Sequence, residues 1–543
     1  MDKRTLTAIL LMMLLYMVFS QFVWKPQQQR QLQQQAAADS TNSPAPVANV
    51  SPEPDTLSSV LTDSLFTTDA TPEIVTLSND LITVHFNTKG ASISQVELHK
   101  FLMHDGSPVK LIPEDSSIAS VKLIHPASET PLAQTVFMHS VSADSSSITF
   151  YLGDVNAPQV AKTFKLDDKY GIGLSVAVAG LSSMNGIELD FSSGIADTER
   201  ITKSKAQDYK FLIYADNEIQ KTALSKFKKT QPNGSFGSFA WAAVRSKYFT
   251  LALKEDEPTI MRNYRTGLNE TTGNPFFYVD SRQPNAKQSW NQSFSLYAGP
   301  ADYELLKTYG RQMENIPERG VSWLRWLANF FAWFLKLLHR YIPNYGVVLL
   351  LFALVMKLVL HPLTHKQMEH GFKQQKLAPQ VQQIQKLYPN DRVKQQQELS
   401  KLYKEHNTSP MAGCLPVLIQ FPIIIPLYSV LRYSLDMRNA SFIFWLKDLS
   451  EPDPYLVLPI IMAVFMIIQS LMMRPPKMDE SQMDDKQKAM QSQQKMMTWM
   501  MPIMMFFIFR GMPAGLVLYW TAFNILSVIH QYYMNKHFKN KES

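Results

Sequence analysis

The chain has 543 residues, with 53 basic against 46 acidic side chains and one cysteine, Cys414. A single thiol excludes an intrachain disulfide framework, and the small basic excess collects in short loops beside apolar runs, which argues for membrane topology before nucleic acid. The mean hydropathy of −0.13 hides a segregation, since apolar runs at the start and in the last third flank a polar, strand-like middle.

Residues 1–25 open on Met1-Asp-Lys-Arg4 and run apolar from Leu6 to Trp24, long enough to span a bilayer. The run ends in Ser20-Gln-Phe-Val-Trp-Lys25, and Ala36-Ala-Ala38 lies too far on to be a cleavage site, so an uncleaved anchor with a cytoplasmic N-terminus is expected. Residues 26–70 are rich in Gln, Ala, Ser, Thr and Pro and read as a flexible linker. Residues 71–320 change to short alternating runs, such as Leu81–Phe86, Ser92–Leu98, Ser147–Leu152 and Ser289–Tyr297. Their spacing predicts a large antiparallel β-sandwich. The chain contains no G-x-S-x-G nucleophile, no H-E-x-x-H and no phosphate loop, so no catalytic residue is expected.

Residues 321–342 predict an amphipathic helix lying in the headgroup region. Arg325, Asn329, Lys336, His339 and Arg340 fall on one stripe, and Trp323, Trp326, Phe330, Phe331 and Phe334 cover much of the rest. Within 343–535, spans are expected near 345–363, 412–433, 455–473, 496–509 and 515–534, six with the anchor. The loop 364–411, the loop after 473 and the tail 536–543 are rich in lysine, whereas 434–454 is near charge balance. The positive-inside rule then leaves both termini cytoplasmic and the sandwich outside. The basic loop 364–411 reads as two helices broken near Pro389-Asn-Asp391, with Lys373, Lys376, Lys394 and Lys401 as contact residues.

Lys357 is the most informative residue. An ammonium at the centre of a membrane helix costs about 2.5–3.5 kcal/mol, so it calls for a polar cavity, or for snorkelling to the nearby interface. Gln420, Gln469, Tyr519, Trp520, Thr521 and Asn524 are further polar groups within the spans. Each alone reads as interhelical glue; with a charge they read as one hydrated groove. Pro416, Pro422 and Pro426 interrupt the second core span, and the 496–509 run covers only about 21 Å. Six methionines between Met496 and Met505 offer an adaptable apolar surface. His361, His365 and Glu369 have helical spacing for zinc, but Pro362 disturbs it and no further ligand is evident, so neither metal nor cofactor is expected.

Lys357-Leu-Val-Leu-His-Pro-Leu-Thr364, Leu377-x-Pro379, the run from Asn407 to Pro422, Asp453-Pro-Tyr-x-Leu-Pro459 and Gly515-Leu-Val-Leu-Tyr-Trp520 resemble the YidC/Oxa/Alb membrane protein insertase family. Gly90-Ala-Ser-Ile-x-x-Val-x-Leu98 and Tyr297-x-Gly-Pro300 are similar to the periplasmic domain of its Gram-negative members. The resemblance implies a bacterial inner-membrane protein with a periplasmic β-supersandwich and a five-helix core enclosing a groove open to cytoplasm and lipid. It further implies nascent inner-membrane proteins as clients and the Sec translocon as a partner. The groove cation of the family is often arginine, and Lys357 stands there. Gln420 falls on another groove position, and Trp520 replaces the second of two aromatic residues that are often both tyrosine.

The function expected is therefore a membrane protein insertase and folding chaperone that is not an enzyme. It would touch lipid, engage ribosomes weakly through its basic loops, and bind no specific nucleic acid. Two rivals stand beside it: a secondary transporter using Lys357 as counter-ion, against which no inverted repeat of broken helices is visible, and a carbohydrate module in the sandwich.

Overall fold

The computed structural model describes residues 71–472 and 499–540, apart from 127, 201–203, 228–234, 237–238, 257–260, 389–390 and 407–414. The expected anchor, linker and loop after 473 lie outside the described residues.

Alternation builds the first module. In Ile82–Asn87, Ile82, Val84 and Phe86 are buried while Thr83, His85 and Asn87 are half-buried, the period of a strand with one core face. This strand joins Ile74–Ser78, Ser92–Leu102 and Pro108–Lys110 in a four-stranded antiparallel sheet. A second antiparallel sheet of thirteen strands is organised around two long ones, Gly171–Phe191 and Pro275–Pro300. They pair from Gly171 opposite Tyr297 to Phe191 opposite Phe277, with register shifts between Ala179 and Gly186. Before the shift the first strand pairs with Ala157–Leu166, and after it with Ser120–Ile124. The second likewise divides its edge between Phe249–Glu255 and Met261–Leu268. A bulge bends a strand and tightens its twist, so one strand pair can serve two regions of a sandwich. All four alternating runs read from the sequence lie in strands, but the last is only the end of a 26-residue strand.

A buried lysine ties the sandwich together internally. Lys162, 1% exposed, donates from Nζ to the carbonyls of Ala91, at 2.6 Å, and Ala119. Burial pushes its ammonium down to about 7, against the opposing pull of Asp190. The Nζ donors meet two inward carbonyls. Both alanines have positive φ, 43° and 63°, which turns those carbonyls inward.

The second module is helical. It comprises α1 (Arg325–His339), α2 (Tyr345–Val359), α3 (His361–Leu387), α4 (Arg392–Glu405), α5 (Leu415–Tyr433), α6 (Val457–Met472), α7 (Trp499–Phe509) and α8 (Ala514–Asn540). No single described helix is both long and apolar enough to cross a membrane; α2 and α3 meet that measure together, through a 63° bend. The bend corrects the expected straight span 345–363. Pro362 has no N–H to continue α2, and it sits instead in the first turn of α3, where none is needed. Pro422 and Pro426, expected to interrupt a span, lie inside a continuous α5. The boundary drawn at 535 falls within α8, which runs on to Asn540. The expected hairpin is present as α3 and α4, with Asp391 capping α4 by accepting from the Lys394 N–H at 2.9 Å.

Apolar side chains divide between inside and outside. Val348, Leu349, Phe352, Leu427, Met462, Leu516 and Val517 form a buried core, while Leu350, Leu354, Leu358, Ile460, Val464, Ile503 and Phe507 stand exposed. On α1 the buried residues are Ala328, Phe331 and Leu335, and Trp326, Phe330 and Trp333 point outward.

The two modules meet through ions. Arg432, at the end of α5, holds Asp208 of the short turn Lys205–Asp208 with Nη2 at 3.0 Å from both carboxylate oxygens. Arg432 is 6% and Asp208 2% exposed. The Tyr433 hydroxyl donates to the same carboxylate at 3.2 Å, and the Tyr248 hydroxyl donates to the Arg432 carbonyl at 3.2 Å. Further along, Arg438 donates to Glu199 at 2.9 Å and to the Leu102 carbonyl at 2.6 Å, and Arg200 pairs with Glu451 at 2.5 Å.

Removing one partner of a buried pair strands the other charge, at about 3–5 kcal/mol, whereas replacing both by apolar groups is often neutral. Asp208→Ala is therefore expected to lower the thermal midpoint of the full chain in detergent, and Asp208→Ala with Arg432→Met to restore most of it. Equal midpoints for the single and double variants would show that the pair is not what joins the modules.

Candidate functional site

Lys357 lies on the buried side of α2, in its last turn, and is 6% exposed. Its Nζ donates to the Ser527 hydroxyl of α8 at 2.8 Å and stands 5.0 Å from the centroid of the Phe523 ring. Ser527 in turn donates to the Phe523 carbonyl at 2.7 Å, leaving its oxygen free to accept from the lysine. Among the described residues no carboxylate pairs with Lys357. Its charge is held by one neutral hydroxyl and a ring face, which leaves donor capacity unspent.

The α8 face behind this contact is a polar row. Thr521, Asn524, Ser527 and Gln531 recur at helical spacing, and all four are buried, with exposures of 4%, 8%, 4% and 2%. Thr521 folds its hydroxyl back onto the Val517 carbonyl at 2.7 Å, and Gln531 donates to Asn535 at 3.0 Å. Asn524 Nδ2 and Gln531 Oε1 are buried without a hydrogen-bond partner among the described residues. Buried amides so placed are unusual in a finished core. Of the residues expected in the groove, Thr521 and Asn524 share the buried row of α8 that Lys357 meets at Ser527, with the Thr521 hydroxyl 3.5 Å from the Leu458 carbonyl of α6.

The others go elsewhere. Tyr519 packs on Phe352 with ring centroids 5.6 Å apart, inside the apolar cluster. Trp520 turns toward α7, 5.5 Å from Phe509. Gln420 is half-buried on α5, and no hydrogen bond among the described residues joins it to Lys357. Ser527 and Gln531 were missed by sequence reading, although the three- and four-residue spacing onward from Thr521 carries both. Arg432 was also passed over. An arginine at the end of a long apolar run was a signal that it has a partner.

The hairpin lysines are less free than their number suggests. Lys373 pairs with Glu369 at 2.8 Å and Lys401 with Glu398 at 2.6 Å, both within their own helix. Lys394 lies 5.3 Å from the Tyr388 ring, and Lys376 is exposed. The set His361, His365 and Glu369, rejected as a zinc site from the sequence, does not come together: Glu369 is engaged with Lys373, and the imidazole that joins His361 and His365 comes from α8, as His530.

Residues 74–334 match the profile described as YidC periplasmic domain, and 337–542 match that described as 60Kd inner membrane protein. The Membrane protein insertase YidC of Chlorobaculum tepidum is 29% identical over all of this chain and 96% of its own. That of Syntrophus aciditrophicus is 28% identical over 99% of this chain and 100% of its own. A crystallised active YidC insertase with its first transmembrane domain resolved is 18% identical, covering 88% of this chain and 98% of that one, with a TM-score of 0.36. With the two profiles following one another along its length, and relatives that match it almost from end to end, the chain belongs to the YidC family.

Proposed function

We propose that the chain is a non-enzymatic membrane protein insertase and folding chaperone of the bacterial inner membrane. The observation that carries this reading is the buried Lys357 ammonium, met by the Ser527 hydroxyl within the polar row of α8 and by no carboxylate among the described residues. The family supports it, as do the outward apolar faces of α2, α6 and α7, which suit lipid. The topology that fits the charge pattern has six spans, both termini cytoplasmic, the sandwich periplasmic and α1 in the outer headgroup layer.

Burying a client's apolar segment supplies the driving force, at roughly 25 cal/mol per Å². The barrier lies in carrying the client's short polar tail across hydrocarbon. Lys357 lowers it by attracting an acidic or carbonyl group partway, in surroundings where a charge is only weakly screened. Lys357 suits this role because it is held by a hydroxyl: a client carboxylate displaces a neutral partner, not an acid. The Sec translocon and, through α3 and α4, the ribosome are the partners this reading implies. The transporter reading asks the same lysine for a fixed counter-ion, and among the described residues none faces it.

Two experiments test the reading. Insertion of one client whose translocated tail carries zero, one or two acidic residues is compared across variants. Lys357→Arg should work and Lys357→Glu should fail for acidic tails. The Lys357→Ala defect should grow with tail acidity, by about tenfold if the lost attraction is about 1.4 kcal/mol. An equal defect for all three tails, at normal protein levels, rules out a client-binding charge. In the second, reversing Lys373, Lys376, Lys394 and Lys401 to Glu should weaken ribosome co-sedimentation, most at low salt where screening is least. Co-sedimentation unchanged at every salt concentration excludes the hairpin as the contact.

A further inference from the structure

Three imidazoles converge where the bent pair α2–α3 meets α8. His361 and His365 stand one turn apart at the start of α3, and His530 reaches them from α8. Ring centroids lie 4.6 Å apart for His361 and His530, 5.7 Å for His361 and His365, and 6.0 Å for His365 and His530. One nitrogen from each lies within 4.8 Å of the other two. Both nitrogens of His530 are buried and have no hydrogen-bond partner among the described residues. An imidazole always carries at least one donor, so burying it with neither nitrogen satisfied is costly unless something else meets it. Hydrogen bonding within the trio does not relieve this, and the nearest acid on the same helix, Glu369, is bound to Lys373.

We propose that His361, His365 and His530 form a site for a divalent d-block cation, with zinc the best fit. Neutral imidazole suits such ions, and a set with neither carboxylate nor carbonyl disfavours magnesium and calcium. Two histidines four residues apart on one helix are a spacing that zinc sites use, and the third ligand from another helix leaves one position for water or a carboxylate. Pro362 is no obstacle, because it occupies the first turn of α3 and leaves the helical spacing of the pair intact. Tetrahedral zinc with bonds of about 2.0–2.1 Å needs nitrogens about 3.3 Å apart, which side-chain rotation of the three rings brings within reach. His361 is exposed and gives the ion its way in.

The ion ties the first turn of α3 to α8 and so fixes the 63° bend at the base of the hairpin. It also adds positive charge one turn beyond Lys357. Neither consequence is needed for binding, which is independent of the insertase reading and is measured on the chain itself.

The test uses the full-length chain without an affinity tag, stripped with EDTA in detergent, then titrated with zinc chloride by calorimetry and with cobalt(II) by visible absorption. One equivalent per chain is expected, with the intense bands of four-coordinate cobalt and a higher thermal midpoint. His361→Ala, His365→Ala and His530→Ala should each weaken binding at least tenfold and abolish those bands, whereas His370→Ala and Glu369→Gln should not. His361 is exposed, so its variant separates loss of the ion from loss of the fold. The proposal is overturned by absence of a first equivalent, by His361→Ala binding as the unaltered chain does, or by equal loss in the two controls.

Discussion

A charge inside an apolar helix pair has to be met from within the pair, and this constraint fixes how α2 and α8 lie together. Lys357 reaches Ser527 only if the two helices pack along their length. Small residues permit that approach: a side-chain carbon at Gly515 on α8 would come 3.2 Å from Leu349 of α2. At the other end of α2, Gly346 lies against the Phe442 ring with no room for any side chain. Phe352 then stacks between α1 and α8, against Phe331 and Tyr519, and closes the apolar part of the interface. The polar contact and the close packing depend on each other. Separating the helices would leave an ammonium in hydrocarbon, a state the membrane disfavours by several kcal/mol.

The same constraint operates at the far end of the core with the opposite solution. Arg432 is buried like Lys357, but its guanidinium receives a full carboxylate, which also accepts from Tyr433, while Tyr248 holds its backbone carbonyl. A bidentate guanidinium–carboxylate pair is a fastening, whereas a lysine on a lone hydroxyl is a charge still able to exchange partners. One cation joins modules; the other is available. That contrast, more than burial by itself, separates a structural ion from a candidate functional one.

How much of this was legible follows from how far each signal reaches along the chain. Strands such as Ile82–Asn87 announce themselves by alternation, and Lys357 by standing alone among Val, Leu and Met. The hairpin was visible in Pro389-Asn-Asp391 and its flanking helical periods. Asp208 and Arg432 are 224 residues apart, and nothing local in either marks the other. His530 was invisible for a similar reason: the motif His361-x-x-x-His365 is local, while its third member depends on how α8 packs. Proline misled in both directions. Pro422 and Pro426 stay within a helix they were expected to interrupt, while Pro362, at the start of α3, coincides with the 63° bend because it has no N–H to continue α2.

The length of the polar row bears on the choice between insertase and transporter. From Thr521 to Gln531 it spans ten residues, or about 15 Å of helix, roughly half of a hydrocarbon core about 30 Å thick. Toward the start of α8 the interface is sealed by Leu516, Val517, Val348, Leu349 and Phe352, all buried and none carrying a polar side chain. A solute carrier needs polar contacts that can be exposed to either side in turn, so its site sits between two gates. On the proposed reading, a half-length row ending on an apolar plug would offer a polar tail a shortened barrier from one side, with no second gate among the described residues. Lys357 lies at the C-terminal end of α2, where the helix dipole favours a cation. On the proposed reading, a polar row that shortens the hydrocarbon distance and holds a positive charge is what moving a short acidic tail requires, and among the described residues it has no second opening of the kind that shuttling a solute would demand.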